Sequence, residues 1–140
     1  MAHKEALYED CILFLVAKAY QGIYCTFKNR LKTYGLTPSQ MLVLVALMEK
    51  DGLCAGMLSN QLSLDNATLS GILSRLKKAG WIFKTPSEDD RRLFELHLTQ
   101  KAEDHLGTIV QEIAKANEEV LCAFGLEEKL LFKRMLRDLQ

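Results

Sequence analysis

The stretch NATLSGILSRLKKAGWIFKTPSEDDRRLFELHLT, residues 66–99, changes its hydrophobic period once, and no other feature of the chain restricts the fold as strongly. From Asn66 to Ala79, Leu69, Ile72, Leu73 and Leu76 recur at three- and four-residue steps, the spacing of a single helix face. Asp65 stands at the N-cap position and Gly80 at the stop. Trp81 to Thr85 then reads as a short strand, and Phe94, Leu96 and Leu98 alternate with Glu95 and His97 as a second. Residues 86–92 make the hairpin between them, with Pro86, Ser87 and Asp89 as turn formers.

Upstream, Thr37-Pro38-Ser39-Gln40 is a helix start: threonine as N-cap, proline at the first helical position and glutamine closing a capping box. That helix should run to about Lys50. Its residues Met41, Leu42, Leu44, Val45, Leu47 and Met48 cover most of the circumference, so it is expected at the centre of the core. Asp51-Gly52 turns the chain, and residues 55–62 make a short helix with Leu58 and Leu62 inward. Residues 36–98 thus spell a helix-turn-helix followed by a two-stranded wing.

The flanks are helical. Residues 4–33 read as one helix about 45 Å long, with Leu7 or Tyr8, Cys11 or Ile12, Leu15, Ala19, Ile23, Phe27 and Leu31 in step. Thr99 caps another helix that runs to about Ala123; Gly125 interrupts, and Glu127 to Leu139 forms the last. These helices carry more apolar surface than one small domain can cover, and a second copy of the chain is the economical cover. The expected fold class is therefore mainly α with a small β-hairpin wing. A single domain, 1–140, would comprise the winged helix-turn-helix at 36–98 and dimerisation helices at 4–33 and 99–140.

The chain is 49% apolar and 26% charged, which fits a packed globular protein and not a disordered one. It has neither a run long enough to span a bilayer nor a signal-peptide pattern in MAHKEALYED, so a cytoplasmic protein without membrane contact is expected. Cys11, Cys25, Cys54 and Cys122 show no CxxC spacing and are expected reduced. His3, His97 and His105 lack ligand spacing, and there is no catalytic triad order, phosphate loop or paired-carboxylate site; no metal, cofactor or enzymatic activity is implied.

Eighteen basic and eighteen acidic residues cancel, but not locally: Asn66 to Ser87 contains Arg75, Lys77, Lys78 and Lys84 and no acid. A positive face on a neutral protein is what phosphate contact requires. Opposite the apolar stripe of helix 66–79 lie Asn66, Thr68, Ser70, Gly71, Ser74, Arg75, Lys77 and Lys78, small and hydroxylic first, basic last. Ser70, Ser74 and Thr68 suit base edges, and the cations suit phosphates. In the hairpin, Ser87, Asp90, Arg91 and Arg92 join Lys84; Asp90 can brace Arg92, and an oriented arginine at a hairpin tip suits a narrow minor groove.

The wing sequence Asp90-Arg91-Arg92-LFELH-Leu98-Thr99 and the segment LSLDNATLSGILSRLKKAGWI resemble the MarR/SlyA family of dimeric winged-helix transcription regulators, over essentially the whole chain. Ala102 stands where that family usually has glycine. The resemblance implies a homodimeric repressor, ligand- or stress-responsive, that binds a pseudo-palindromic double-stranded DNA operator through helix 66–79 and wing 86–92. It also implies a small-molecule effector pocket between the long helix and the winged region, for which Tyr20, Tyr24, Phe27 and Met48 are candidates. LDNATLSGIL is similar to the branch that senses organic hydroperoxides through a cysteine near the start of the first helix; that position aligns with Leu13, two residues after Cys11. Cys25, near Lys28 and Arg30, has the more positive surroundings, whereas Cys11 follows Glu9 and Asp10. Buried core cysteines are the competing expectation, and a thiol-based sensor or a protein-interaction module without DNA binding are the competing functions.

Overall fold

The computed structural model describes residues 7–140, which fall into two compact units, Leu31–Glu112 and a helical unit made of residues 7–30 together with Ile113–Gln140.

The winged unit starts from helix α1 of residues Pro38–Glu49, whose entry is the expected capping box. Thr37 Oγ1 accepts from the Gln40 N–H at 3.2 Å and Gln40 Oε1 accepts from the Thr37 N–H at 2.9 Å. Met41, Val43, Leu44, Ala46 and Leu47 are buried, but Leu42 and Met48 are exposed, so the helix is less completely enclosed than its composition predicts. A two-residue strand, β1 (Leu53–Cys54), leads into α2 (Ala55–Leu62), and α3 (Asn66–Lys78) follows. Strands β2 (Ile82–Pro86) and β3 (Phe94–Leu98) complete an antiparallel sheet in the order β1-β3-β2. Its register pairs Leu53 with Leu96, and Ile82 with Leu98. The sequence does not signal β1, because two residues cannot display a period. The next helix, α4 (Gln100–Val120), gives its residues up to Glu112 to this unit. Leu44, Leu47, Leu53, Leu58, Leu69, Leu76, Ile82, Leu96 and Ile109 are almost fully buried, each contributing about 1.5–3 kcal/mol by leaving water.

How α3 ends decides where its basic residues point. Gly80 adopts φ +75°. The Trp81 N–H donates to Leu76 O at 2.9 Å and the Gly80 N–H to Lys77 O at 3.1 Å, the paired bonds of a Schellman cap. No atom lies within 4 Å of a Cβ built on Gly80, so a substitution there meets backbone strain and no clash. Gly80→Ala should destabilise the fold by about 1–2 kcal/mol, read as a lower urea midpoint at unchanged slope.

In the helical unit, the N-terminal helix, αN, spans Ile12–Leu31, shorter than the expected 4–33. Residues 4–6 lie outside the described residues. Leu7 to Asp10 form turns, with the Cys11 N–H donating to Tyr8 O at 3.2 Å, and after Leu31 a 3-10 turn, Lys32–Tyr34, leads to Gly35 at φ 65°. The end of α4 also falls earlier than expected, at Val120, because the chain tightens into turns there: the Phe124 N–H donates to Leu121 O at 3.0 Å. The last helix, α5, spans Leu126–Asp138, and the Gly125 N–H at its start donates to Glu128 Oε2 at 2.8 Å. Arg30 of αN pairs with Glu119 at 2.7 Å, Lys129 of α5 with Glu118 at 3.0 Å, and the Phe124 and Phe132 rings stack at 6.1 Å.

Candidate nucleic-acid interface

At the entry to α3, Asp65 caps as expected: Oδ1 accepts from the Thr68 N–H at 2.8 Å and Oδ2 from the Thr68 hydroxyl at 2.7 Å. The hydroxyl bond, then the backbone bond, hold the Asp65 carboxyl below its ordinary range. The cap therefore stays ionised at neutral pH and is lost only as acid protonates a carboxyl that resists it. Thr68 spends its hydroxyl proton here, which leaves it as an acceptor toward any base edge.

Leu69, Ile72, Leu73 and Leu76 are buried, while Asn66, Thr68, Ser70, Ser74, Arg75, Lys77 and Lys78 are exposed and Gly71 is half-buried. One face of α3 thus presents hydroxyls in its first two turns and three cations in its last. No acid interrupts it after Asp65.

The wing is closed by the Ser87 N–H donating to Leu93 O and the Leu93 N–H donating to Asp90 O, both at 2.9 Å. Ser87, a turn former, is buried in the single chain. Asp90 does brace Arg92. Oδ1 accepts from the Arg92 backbone N–H at 3.0 Å and from Nε at 3.1 Å, and Oδ2 accepts from Nη2 at 3.2 Å. The guanidinium bonds, then the backbone bond, lower the Asp90 carboxyl from its usual range. The Arg92 side chain is nevertheless 89% exposed, so the other guanidinium donors face solvent. Arg91 is exposed, and so is Lys84, which lines a small hollow with Arg92, Cys54, Leu73 and Phe94. The structure therefore brings Lys84 and Arg92 to one place.

Met48 lines a cavity of about 520 Å³ with Leu47, Asp51, Phe83, His97 and Leu106. Its lining comes from residues 47–107. Tyr20 and Tyr24 contact each other on αN at 5.8 Å, and Phe27 is half-buried. Cys11, Cys25 and Cys122 are exposed and Cys54 is half-buried, which overturns the expectation of buried core cysteines. Among the described residues no three His, Cys, Asp or Glu are placed to hold a metal, and no helix is long and apolar enough to cross a membrane. Two interactions had no signal in the sequence. His97 Nδ1 meets Asp51 at 2.9 Å and its Nε2 meets Thr85 Oγ1 at 2.9 Å; these are tertiary contacts that local patterns do not encode.

The winged unit also carries a family signature. Residues 34–93 match the family model described as MarR family. The HTH-type transcriptional regulator FarR of Neisseria gonorrhoeae is 35% identical over 126 residues, 87% of this chain and 84% of that protein. The chain belongs to the MarR family of transcriptional regulators. It is also 29% identical to the HTH-type transcriptional regulator PecS of Dickeya dadantii over 81% of its length, but spans only 58% of that relative. A Pseudomonas aeruginosa crystal structure, described as a probable transcriptional regulator, superposes with a TM-score of 0.90 at 28% identity, covering 94% of this chain and 98% of that one. As a MarR-type protein, this chain is a DNA-binding regulator with a winged helix-turn-helix.

Proposed function

We propose that this MarR-type chain acts as a homodimeric repressor on a pseudo-palindromic operator. Each subunit lays α3 in a major groove and its wing in the flanking minor groove, with half-sites about one helical turn apart. The observation that carries this is the acid-free exposed face of α3 ending in Arg75, Lys77 and Lys78, beside an Arg92 held outward by Asp90. Lys77 and Lys78 serve phosphates; Ser70 and Ser74 serve base edges.

A small-molecule effector completes the proposal. The cavity beside Met48, about 520 Å³, is within the size range of ligand sites. A ligand there would act by changing the separation of the two recognition helices, since a dimer out of register with the groove repeat forfeits half its contacts.

The test is fluorescence anisotropy on random and selected duplexes across a salt series. For a DNA-binding dimer the logarithm of the affinity falls linearly with log salt, whereas a module that binds only protein shows no duplex binding at any salt. Within the series, Lys77→Ala should reduce the slope by about one unit if it neutralises one phosphate. An unchanged slope would move Lys77 out of the interface.

A further inference from the structure

We infer that Lys101 is a positioning residue for the recognition helix, fastening its C-terminal turn to α4; the role rests on the DNA-binding reading above. The last carbonyls of a helix have no partner inside it. The Schellman bonds satisfy Leu76 O and Lys77 O, and the Ala79 N–H takes Arg75 O. Just past the helix end, the carbonyls of the C-cap Ala79 and of Gly80 accept from side chains at the start of α4. Lys101 Nζ donates to Ala79 O at 2.8 Å, and the Thr99 hydroxyl donates to Gly80 O at 2.6 Å. The Thr99 N–H adds a bond to Trp81 O at 3.1 Å.

The same ammonium sits 4.5 Å from the centroid of the Trp81 ring, a cation–π contact on a buried indole. The His105 ring meets Trp81 edge-on at 5.7 Å, and His105 Nδ1 lies 2.8 Å from Lys101 O. Lys101 is therefore held from below by Trp81 and points into the negative end of the α3 dipole, where a cation is favoured. Arg75, Lys77 and Lys78 occupy that same last turn. A displacement of α4 must carry with it the end of α3 that bears the cations.

The consequence differs from that of a phosphate ligand. Loosening the fastening leaves every DNA-facing charge in place but blurs its register, so discrimination falls while the salt slope stays. Lys101→Met keeps the stem and removes both charge and donor. Expected is a roughly fivefold loss of affinity for a duplex selected by the wild-type protein from a random pool, the factor that about 1 kcal/mol supplies, with less change on a scrambled duplex. Trp81 is the sole tryptophan of the chain, so its emission reports the fastening directly: Lys101→Met should shift it and Lys101→Arg should restore both emission and affinity. Lys101→Gln makes the same comparison if the methionine variant is poorly folded.

An unchanged ratio of selected to scrambled affinity, with unchanged Trp81 emission, overturns the positioning role. A loss of about one unit of salt slope on both duplexes also overturns it, making Lys101 a phosphate contact. Should the wild type itself show no salt-dependent duplex binding, the reading beneath falls and takes the inference with it; a failure confined to the Lys101 variants removes the inference alone.

Discussion

Leu126→Glu combined with Leu130→Glu should convert the protein from a dimer to a monomer and cut its affinity for a selected duplex by about 10²- to 10⁴-fold, the range that linking two binding modules supplies. Both leucines lie on α5, 74% and 61% exposed in the single chain, and Leu131, Met135 and Leu136 on the same helix, with Leu139 at its C-cap, are exposed as well. On αN, Ile12, Leu13, Val16 and Tyr20 are exposed too. Soluble monomers rarely leave contiguous apolar patches above a few hundred Å² in water. A second copy would remove such surface at about 1.5–3 kcal/mol per buried leucine, whereas the two glutamates per chain would place unpaired carboxylates in that interface. The variant's winged unit has its own core, so its circular dichroism should match the wild type while sedimentation reports half the mass. Wild-type protein that sediments as a monomer at micromolar concentration, or a variant that remains dimeric, would remove homodimerisation from the proposed mechanism.

The parts of the fold that local chemistry specifies were legible in the sequence. The Thr37 and Gln40 box is present in both of its bonds, α2 keeps its boundaries, and β3 starts and stops where alternation begins and ends. The Asp90 brace was readable because its partners are two residues apart. What depends on distant contacts was not. Strand β1 exists only because Leu53 and Cys54 find Leu96 and Glu95 across the sheet, and Lys101 finds a carbonyl 22 residues earlier in the chain. The first helix was read too long because apolar spacing persists through Leu7 and Tyr8 although the chain there turns; period marks which face is apolar and does not mark where a helix starts.

Arg92→Ala should weaken binding to the selected duplex by about 1–3 kcal/mol, roughly 5- to 150-fold, without lowering thermal stability. The stability half follows from exposure: an 89% exposed side chain removes little apolar surface when truncated, and ion pairs between residues at the surface contribute little to folding. The binding half follows from the brace. Asp90 fixes Nε and Nη2, so less rotamer freedom is lost when the guanidinium enters a minor groove, where negative potential is enhanced. Asp90→Ala separates the brace from simple charge. It deletes a negative group from the surface proposed to meet phosphates, so long-range electrostatics alone would tighten binding. If orientation of Arg92 is what the wing contributes, Asp90→Ala should instead weaken the selected duplex while leaving or raising affinity for the scrambled one. The lowered Asp90 carboxyl sets the pH window: the brace is complete above the ordinary carboxylate range and fails only as pH falls through the depressed value, so discrimination by the wing should be flat across neutral pH. Tighter binding of both duplexes by Asp90→Ala would reduce Arg92 to an unoriented surface charge.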